Sequence, residues 1–301
     1  MEDVLVLLST YNGEKYLQEQ LDSLYAQEDV KVNILVRDDA SSDKTVEILD
    51  ANKKKGLLNW YSGANLGPAR SFMDLVYQAP KYDWYAFCDQ DDYWVKDKLI
   101  IAINKLKAKD NSIPALYYGS PIIVDSKLMV LKSYKGSAHK MLDFNSAMIN
   151  SNATGCTMVF NHSLLKLIKE KQPSYLHMHD SWFHKVCIIA HGFLIYDENV
   201  HIYYRQHGNN VIGSRKSIFE RIQQRFISLR QKGCIRSRTA QSLLMCYGGL
   251  MTDNEKKVVN QIATYKQSFF NRLKLVFNFN VRTNYFFRNI LFRFSVLFGA
   301  F

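Results

Sequence analysis

The first 110 residues of the chain alternate short apolar runs with stretches of helical periodicity, and this alternation strongly constrains the fold. Runs of strand length occupy residues 4–8, 32–36, 58–61 and 84–88. After the first run, Leu17, Leu21 and Leu24 recur at helical spacing. Such alternation indicates parallel strands joined by helical crossovers, and open sheets of this kind bind ligands at the carboxyl ends of their strands. The sequence therefore predicts an α/β fold with a mostly parallel central sheet.

A cluster of carboxylates follows the fourth run, at Asp89, Asp91 and Asp92. Carboxylates this close together repel one another unless a cation relieves the repulsion. A hard divalent cation such as Mg²⁺ or Mn²⁺ suits this place, because it is commonly held by one or two carboxylates together with substrate phosphates. The alternative is a solvated acidic turn that caps a helix beginning near Lys96.

A second acidic pair, Asp38-Asp39, follows the second run. The Asp39 carboxylate could accept hydrogen bonds from a base imide or from a ribose hydroxyl. On its own, the segment 38–43 is equally typical of a turn and helix cap.

The formal charge of +11 is unevenly distributed. Residues 215–301 carry 16 Lys/Arg and 3 Asp/Glu, whereas the first 214 residues have a net charge of −2. A body without excess positive charge cannot neutralise many phosphates, so we predict no nucleic-acid partner. The charge pattern predicts a catalytic domain over 1–214 and a basic helical region over 215–301, with the boundary near 212–216.

The cysteines and the apolar segments indicate the cellular compartment of the protein. The five cysteines form no Cys-x-x-Cys pair, which argues against both a disulfide framework and a zinc site. The chain begins without the basic region of a signal peptide, and no segment approaches the roughly 18 consecutive apolar residues of a spanning helix. We therefore predict a cytoplasmic protein.

The middle of the chain, residues 111–214, is predicted to mix strands and helices less regularly and to form the side of the site that binds the acceptor substrate. Its expected strands are 122–124, 156–160, 193–196 and 201–204. One helix is expected after Asp180.

Four motifs, taken in order, resemble a known family. They are Ser9-Thr10-Tyr11-Asn12-Gly13-Glu14, Asp38-Asp39-Ala40-Ser41-Ser42-Asp43, Asn65-Leu66-Gly67 with Arg70, and Asp89-Gln90-Asp91-Asp92-Tyr93-Trp94. Over residues 3–213 this order closely resembles glycosyltransferase family 2. The resemblance implies the GT-A fold, inverting chemistry and nucleoside diphosphate sugar donors. The last motif, together with Tyr204-Arg205-Gln206-His207, is similar to the bacterial rhamnosyltransferase-like subset.

The resemblance also implies roles for individual residues on the donor side. The residues expected at the nucleotide-sugar site are Thr10, Tyr11, Asn12, Glu14, Asp39, Arg70, Asp89 and Gln90. Asp39 would read the uracil or thymine, and Arg70 would lie near the base or phosphate. Asp91 would be the principal ligand of a Mn²⁺ or Mg²⁺ ion, with Asp89 contacting ribose or metal. His207 could complete the metal shell, or it could be an ordinary surface histidine.

On the acceptor side, the resemblance implies that Asp180 is the base that deprotonates the acceptor hydroxyl. Its neighbour His179 departs from the common Glu-Asp pair and either tunes Asp180 or only occupies the position. An N-cap role for Asp180 at a helix over 181–190 is the alternative, and the two roles can coexist. Trp94 and Trp182 would suit stacking on a sugar, although either could instead belong to the core.

Together these features predict an inverting glycosyltransferase that moves rhamnose or a hexose from a dTDP- or UDP-linked donor. The acceptor would be a hydroxyl of a growing, lipid-linked bacterial surface polysaccharide. A catalytically degenerate nucleotide-sugar-binding scaffold at the membrane is the alternative. A nucleotidyltransferase is disfavoured, because the turn after the first run lacks a Gly-rich loop with a basic residue.

The basic region interleaves Arg and Lys with aromatic and aliphatic residues. Examples are Phe219, Ile222, Phe226 and Leu229 beside Arg221, Arg225 and Arg230, and residues 286–298 around Arg288 and Arg293. Basic amphipathic helices can lie on an anionic membrane, which predicts peripheral attachment at the inner face of the cell membrane. The alternative is a helical subdomain that packs its aromatic stripe on the catalytic body.

Overall fold

The computed structural model describes residues 1–132, 143–206, 235–283 and 286–299. The strands are β1 Glu2–Thr10, β2 Val30–Asp38, β3 Asn59–Ser62, β4 Trp84–Asp89, β5 Tyr93–Trp94, β6 Ala115–Gly119, β7 Ile122–Val124, β8 Val130–Lys132, β9 Val159–Asn161, β10 Phe193–Asp197 and β11 Ile202–Arg205. The α-helices are α1 Leu17–Tyr25, α2 Thr45–Lys54, α3 Pro68–Gln78, α4 Lys98–Lys107, α5 Phe144–Ile149, α6 His162–Lys169, α7 His179–Ile189, α8 Ile235–Tyr247, α9 Asp253–Thr264, α10 Phe269–Val276 and α11 Phe286–Leu297.

Seven strands form the central sheet, in the order β10-β6-β9-β4-β1-β2-β3. All neighbouring pairs are parallel except those of β9, which runs antiparallel to both β4 and β6. The predicted α/β fold with a mostly parallel sheet is therefore confirmed.

The sheet is buried on both faces because β1 sends alternate side chains to two apolar clusters. Leu5 and Leu7 join the cluster beneath α3, α6 and α7, whereas Val4, Val6 and Leu8 join the cluster beneath α1, α2 and α4. A strand covered on both faces is expected to read as a continuous apolar run, as this one does.

A smaller sheet of order β5-β11-β7-β8 lies beside the central one and changes two sequence expectations. Strand β5 separates the Asp89–Asp92 cluster from α4, whose N-cap residue is Asp97. The interpretation of the cluster as a cap of that helix is therefore wrong. The predicted strand over 156–160 is also shorter, because Gly155–Thr157 forms a 3₁₀ turn and pairing begins at Val159.

The described C-terminal helices pack on the α/β part of the protein and share its core. The Trp182 ring of α7 lies 5.9 Å from the Tyr247 ring of α8. The Arg236 guanidinium donates to the carbonyl of Ile149 at 2.8 Å. Packing of this helical region on the body, one of the two alternatives, is thus observed for α8 and α9. The proposed boundary near 212–216, and the segment holding Phe219 and Phe226, lie outside the described residues.

Among the residues that the structure describes, no helix is both long enough and apolar enough to cross a bilayer.

Candidate active site

The register of the central sheet brings the first, second and fourth motifs to one edge. Thr10 at the end of β1 is paired with Asp38 of β2, and Ser9 is paired with Asp89 of β4. Because these strands are parallel, the loops after them emerge side by side. The sequence motifs therefore meet in space in the way that their positions after the strands predicted.

The side chain of Gln90 ties the first and fourth motifs together. Its Oε1 accepts from the Thr10 hydroxyl at 2.6 Å and from the Tyr11 amide at 2.8 Å, and its Nε2 donates to the Tyr11 carbonyl at 3.0 Å. A Cβ on Gly13 would lie 2.8 Å from the Thr10 hydroxyl oxygen, so glycine is required for this close approach. Thr10 is 1% exposed, and its hydroxyl anchors a loop rather than opening onto a pocket.

The second motif is tied to the first by side-chain caps. Asn12 Oδ1 accepts from the Ser42 amide at 2.9 Å, and Glu14 Oε2 accepts from the Lys44 amide at 3.1 Å. Asn12 has a φ of 49°, a left-handed conformation that asparagine tolerates better than most residues. Residues of the first motif thus stabilise the loop of the second motif by hydrogen bonds to its backbone amides.

Asp39 holds the third motif in place. Its buried carboxylate forms an ion pair with Arg37 and accepts from the amides of Leu66 and Gly67, each at 2.8 Å. This explains why a carboxylate stands after the second strand whether or not a ligand is present. Recognition of the base by Asp39 stays a prediction.

Several of the residues expected to bind the nucleotide are exposed to solvent. Tyr11 is 49% exposed, and Asn12, Glu14 and Arg70 are also exposed. Arg70 lies in the first turn of α3, directly after the loop held by Asp39. These four side chains are accessible to solvent, whereas Thr10 is buried, and donor binding by each of them stays a prediction.

The acidic cluster concentrates negative charge at the centre of the site. Ligand atoms of Asp89, Asp92 and Cys156 lie within 4.8 Å of one another. Burial, followed by the charges of Asp91 and Asp180, raises the pKa of Asp89 to about 7. Burial and the charges of Asp89 and Asp91 also raise the pKa of Asp92 well above its usual value. These carboxylates repel one another, as expected where a cation is to bind.

The residues fit a hard divalent cation better than a soft one. Burial and the nearby charge of Asp92 raise the pKa of the Cys156 thiol, which is hydrogen-bonded to Asp92. Two of the three groups are carboxylates, whose oxygens are the donors that a hard cation such as Mg²⁺ or Mn²⁺ prefers. Sequence reasoning chose Asp91 and Asp89, whereas the structure adds Asp92 and places Asp91 beside this cluster.

Arg205 fixes the loop that carries these aspartates. Its backbone amide donates to Asp92 Oδ1 at 3.2 Å, its Nε donates to the Asp91 carbonyl at 2.9 Å, and its Nη2 pairs with Glu19 at 2.6 Å. The side chain is 1% exposed. The resemblance had included Arg205 in a motif without giving it a role. Only the fold brings this distant position against the Asp89–Asp92 loop.

The two tryptophans expected to stack on a sugar are instead core residues. Trp94 is 1% exposed and packs against the Lys98 ammonium, which lies 3.3 Å from its ring centroid. Trp182 is also 1% exposed and packs beside Tyr247. Because neither ring presents a face to solvent, the prediction that they bind an acceptor is wrong, and the core alternative is correct.

Asp180 lies in the first turn of α7, close to the acidic cluster. The helix is capped at Met178, so Asp180 is not the N-cap residue, contrary to the alternative drawn from the sequence. Its Oδ1 accepts from the Ser181 amide at 2.5 Å, and its charge is close enough to raise the pKa of Asp89. A helix N-terminus stabilises negative charge. A partly accessible carboxylate therefore lies close enough to the acidic cluster to interact with it electrostatically.

His179 is a packing residue rather than a second acid. Its ring stacks on Phe72 with 4.0 Å between centroids and meets Phe87 edge-on. Burial lowers its pKa to about 4, so the ring is neutral near pH 7. A Cβ on Gly155 would lie 2.7 Å from His179 Nε2 and 3.5 Å from Asp180 Cβ. Because residue 155 is a glycine, the 3₁₀ turn can pack directly against His179 and the Cβ atom of Asp180.

Lys185 is a buried cation that sequence reasoning missed. Its Nζ donates to the Ser181 hydroxyl at 2.6 Å and to the Asn150 carbonyl at 3.3 Å. Burial lowers its pKa to about 8, while the charge of Asp180 acts in the opposite direction. The i,i+4 spacing of Ser181 and Lys185 was a signal for this contact. His207, the remaining predicted metal ligand, lies outside the described residues.

Comparison with known proteins agrees with this arrangement. Residues 5–168 match the family model described as "Glycosyl transferase family 2". The chain belongs to glycosyltransferase family 2. It is 28% identical over 228 residues to the dTDP-rhamnosyl transferase RfbG of Shigella flexneri, covering 70% of this chain and 75% of RfbG.

Two further comparisons extend this picture. Escherichia coli WfgD, a UDP-Glc:alpha-D-GlcNAc-diphosphoundecaprenol beta-1,3-glucosyltransferase, is 28% identical over 171 residues, or 55% of this chain and 63% of WfgD. The crystal structure of S. aureus TarS with UDP-GlcNAc superposes with a TM-score of 0.62 at 19% identity, covering 93% of this chain and 77% of that one. The predicted GT-A fold is confirmed, and the chain is a glycosyltransferase.

Proposed function

We propose that this family 2 enzyme transfers rhamnose or a hexose from a dTDP- or UDP-linked donor, with inversion, to a hydroxyl of a lipid-linked glycan. The observation that carries the proposal is the placement of Asp180 beside the acidic cluster at the carboxyl edge of the sheet. An in-line displacement needs a base on the side of the anomeric carbon opposite the leaving diphosphate, and the nearness of the Asp180 charge to Asp89 supports Asp180 as that base.

The similarity to relatives supports the donor and acceptor classes. RfbG is named as a dTDP-rhamnosyl transferase, and WfgD is named for a UDP-glucose donor and a diphosphoundecaprenol-linked acceptor. A lipid-linked acceptor would bring this chain to the inner face of the cell membrane.

A Mn²⁺ or Mg²⁺ ion would be held by Asp89 and Asp91, and the buried Asp92 has a carboxylate oxygen within 4.8 Å of one of Asp89. When bound, it supplies positive charge that neutralises the diphosphate leaving group. The chain itself shapes this site, because Arg205 fixes the loop and Gln90 joins it to Tyr11.

Asp180 would accept the proton of the acceptor hydroxyl as that oxygen attacks the anomeric carbon. Its carboxylate is suited to this task by its partial exposure and by its place at a helix N-terminus. The buried Lys185 ammonium would stabilise the anionic form of Asp180. No covalent nucleophile is needed, so a single displacement inverts the anomeric centre.

A thermal-shift panel tests the donor class. With Mn²⁺ present, we expect dTDP-rhamnose or a UDP-hexose to raise Tm by several degrees, because a ligand that binds only the folded state stabilises it. A GDP-linked sugar serves as the matched control, since its purine base differs from thymine and uracil. Equal shifts with all donors, or none with any, would contradict the proposed pyrimidine-nucleotide donor.

A further inference from the structure

Helix α11 carries two apolar faces, and the protein covers one of them. Phe292 and Val296 are 5% and 0% exposed and pack into the core. On the other side, large apolar side chains recur at positions i, i+4, i+7 and i+11, which is one continuous stripe along a helix. These residues, called here the outer stripe, are Phe287 at 78%, Leu291 at 58%, Phe294 at 56% and Phe298 at 75% exposure.

The exposed apolar surface continues on the neighbouring helix α10 and on the turn that follows it. Its further members are Phe269 and Phe270 on α10, Phe277 and Phe279 on the turn after it, and Phe286 at the start of α11, each more than half exposed. Soluble monomers rarely expose so many large apolar side chains on one element pair, and such patches mark interaction surfaces.

The α10–α11 pair is held firmly, so the outer stripe is presented on a defined scaffold. The Arg293 guanidinium donates to the carbonyls of Leu275, Asn278 and Val281 at 2.8, 3.0 and 2.8 Å. The Asn289 amide donates to the Thr283 carbonyl at 2.9 Å. Arg293 is thus committed to the protein's own backbone, and its charge has a structural role.

The remaining charges around the stripe have a single sign. No Asp or Glu occurs after Glu255, in the last 46 residues of the chain. Lys274, Arg282 and Arg288 are exposed on or beside these helices. A second copy of this chain would bring cations against cations with no carboxylate between them, whereas an anionic surface complements them.

We propose that the outer stripe inserts into the headgroup region of an anionic lipid bilayer, with Lys274, Arg282 and Arg288 contacting lipid phosphates. Aromatic and aliphatic side chains on one side, with cations beside them, are the features by which a helix lies in a membrane interface. The proposal deepens the proposed function, on which it rests, by naming the surface that brings the enzyme to a lipid-linked acceptor.

Flotation of the full chain with vesicles tests this surface. We expect wild type to float with vesicles of phosphatidylcholine and phosphatidylglycerol, and to float less with phosphatidylcholine alone or in high salt. The triple variant Phe287→Ser/Leu291→Ser/Phe298→Ser is expected to lower the partition coefficient at least tenfold. The matched control, Leu57→Ser/Met245→Ser/Leu250→Ser, removes three exposed apolar side chains elsewhere and should float as wild type does.

The outcomes separate this proposal from the proposed function. Wild type that stays with the soluble fraction, or two triple variants that float equally, would overturn membrane binding. A wild-type dimer that the outer-stripe variant turns into a monomer, without vesicle binding, would assign the surface to a second copy instead. The outer-stripe variant is expected to show the same donor-induced rise in Tm as wild type, because the stripe is not part of the donor site. If wild type showed no such rise, that result would count against the proposed function and not against membrane binding.

Discussion

Replacing Asp180 with asparagine is expected to slow sugar transfer by about 10²–10⁴-fold, the usual contribution of a general base. The amide has nearly the shape of the carboxylate but cannot accept the acceptor's proton. Because Asp180 is not one of the donor-loop residues joined by Gln90, donor binding should be retained. Initial rates with saturating donor, and donor titrations by calorimetry, measure the two quantities separately.

The matched control for this variant is Asp253→Asn. Asp253 is also an aspartate in the first turn of a helix, α9, but it is exposed and belongs to the C-terminal region. It should keep wild-type transfer. If Asp180→Asn transferred sugar at the wild-type rate, Asp180 would not be the base. If it lost donor binding as well, its role would be in shaping the donor site.

Exhaustive chelation with EDTA is expected to abolish turnover, and added Mn²⁺ or Mg²⁺ is expected to restore it. The reason is the cluster of carboxylates around Asp89, where burial, followed by the charges of Asp91 and Asp180, raises the pKa of Asp89 to about 7. A site that gathers this much negative charge binds an anionic diphosphate poorly unless a cation lies between them. Transfer rates measured across a metal titration after dialysis test this directly.

Single substitutions locate the cation more closely. Asp89→Asn and Asp91→Asn are each expected to require at least tenfold more metal for half-maximal activity. Asp110→Asn, which changes an exposed aspartate in the loop after α4, is the matched control and should titrate as wild type does. Full activity after exhaustive chelation would contradict a metal role for Asp91 and Asp89 alike.

The parts of the fold that local pattern dictates were predictable from the sequence. The run at residues 4–8 marks a strand buried on both faces, and Leu17, Leu21 and Leu24 mark the apolar face of α1. The sequence does not distinguish the short 3₁₀ turn at Gly155–Thr157 from a strand, because apolar residues next to a real strand have the same pattern. Strand β5 was missed because its two residues depend on pairing with the distant β11.

The features of the candidate site that could be predicted are likewise those that depend on local sequence, and the others depend on contacts between distant residues. Motifs that follow successive strands were correctly expected to meet, since parallel strands end at one edge. The partners of their side chains were not predictable, because Gln90 reaches back to Tyr11 and Asp39 reaches ahead to Gly67. The sequence leaves both sugar stacking and a core position open for Trp94 and Trp182, and only their burial in the fold identifies them as core.

The anomeric configuration of the product tests the central claim most directly. The donor that stabilises the protein most, a lipid-linked glycan acceptor and Mn²⁺ would be incubated with the full chain, and the one-bond ¹³C–¹H coupling at the new anomeric carbon measured by NMR. A single displacement assisted by Asp180 predicts a configuration opposite to that of the donor, and no such product from Asp180→Asn in the same time. A product that retained the donor's configuration would contradict the account.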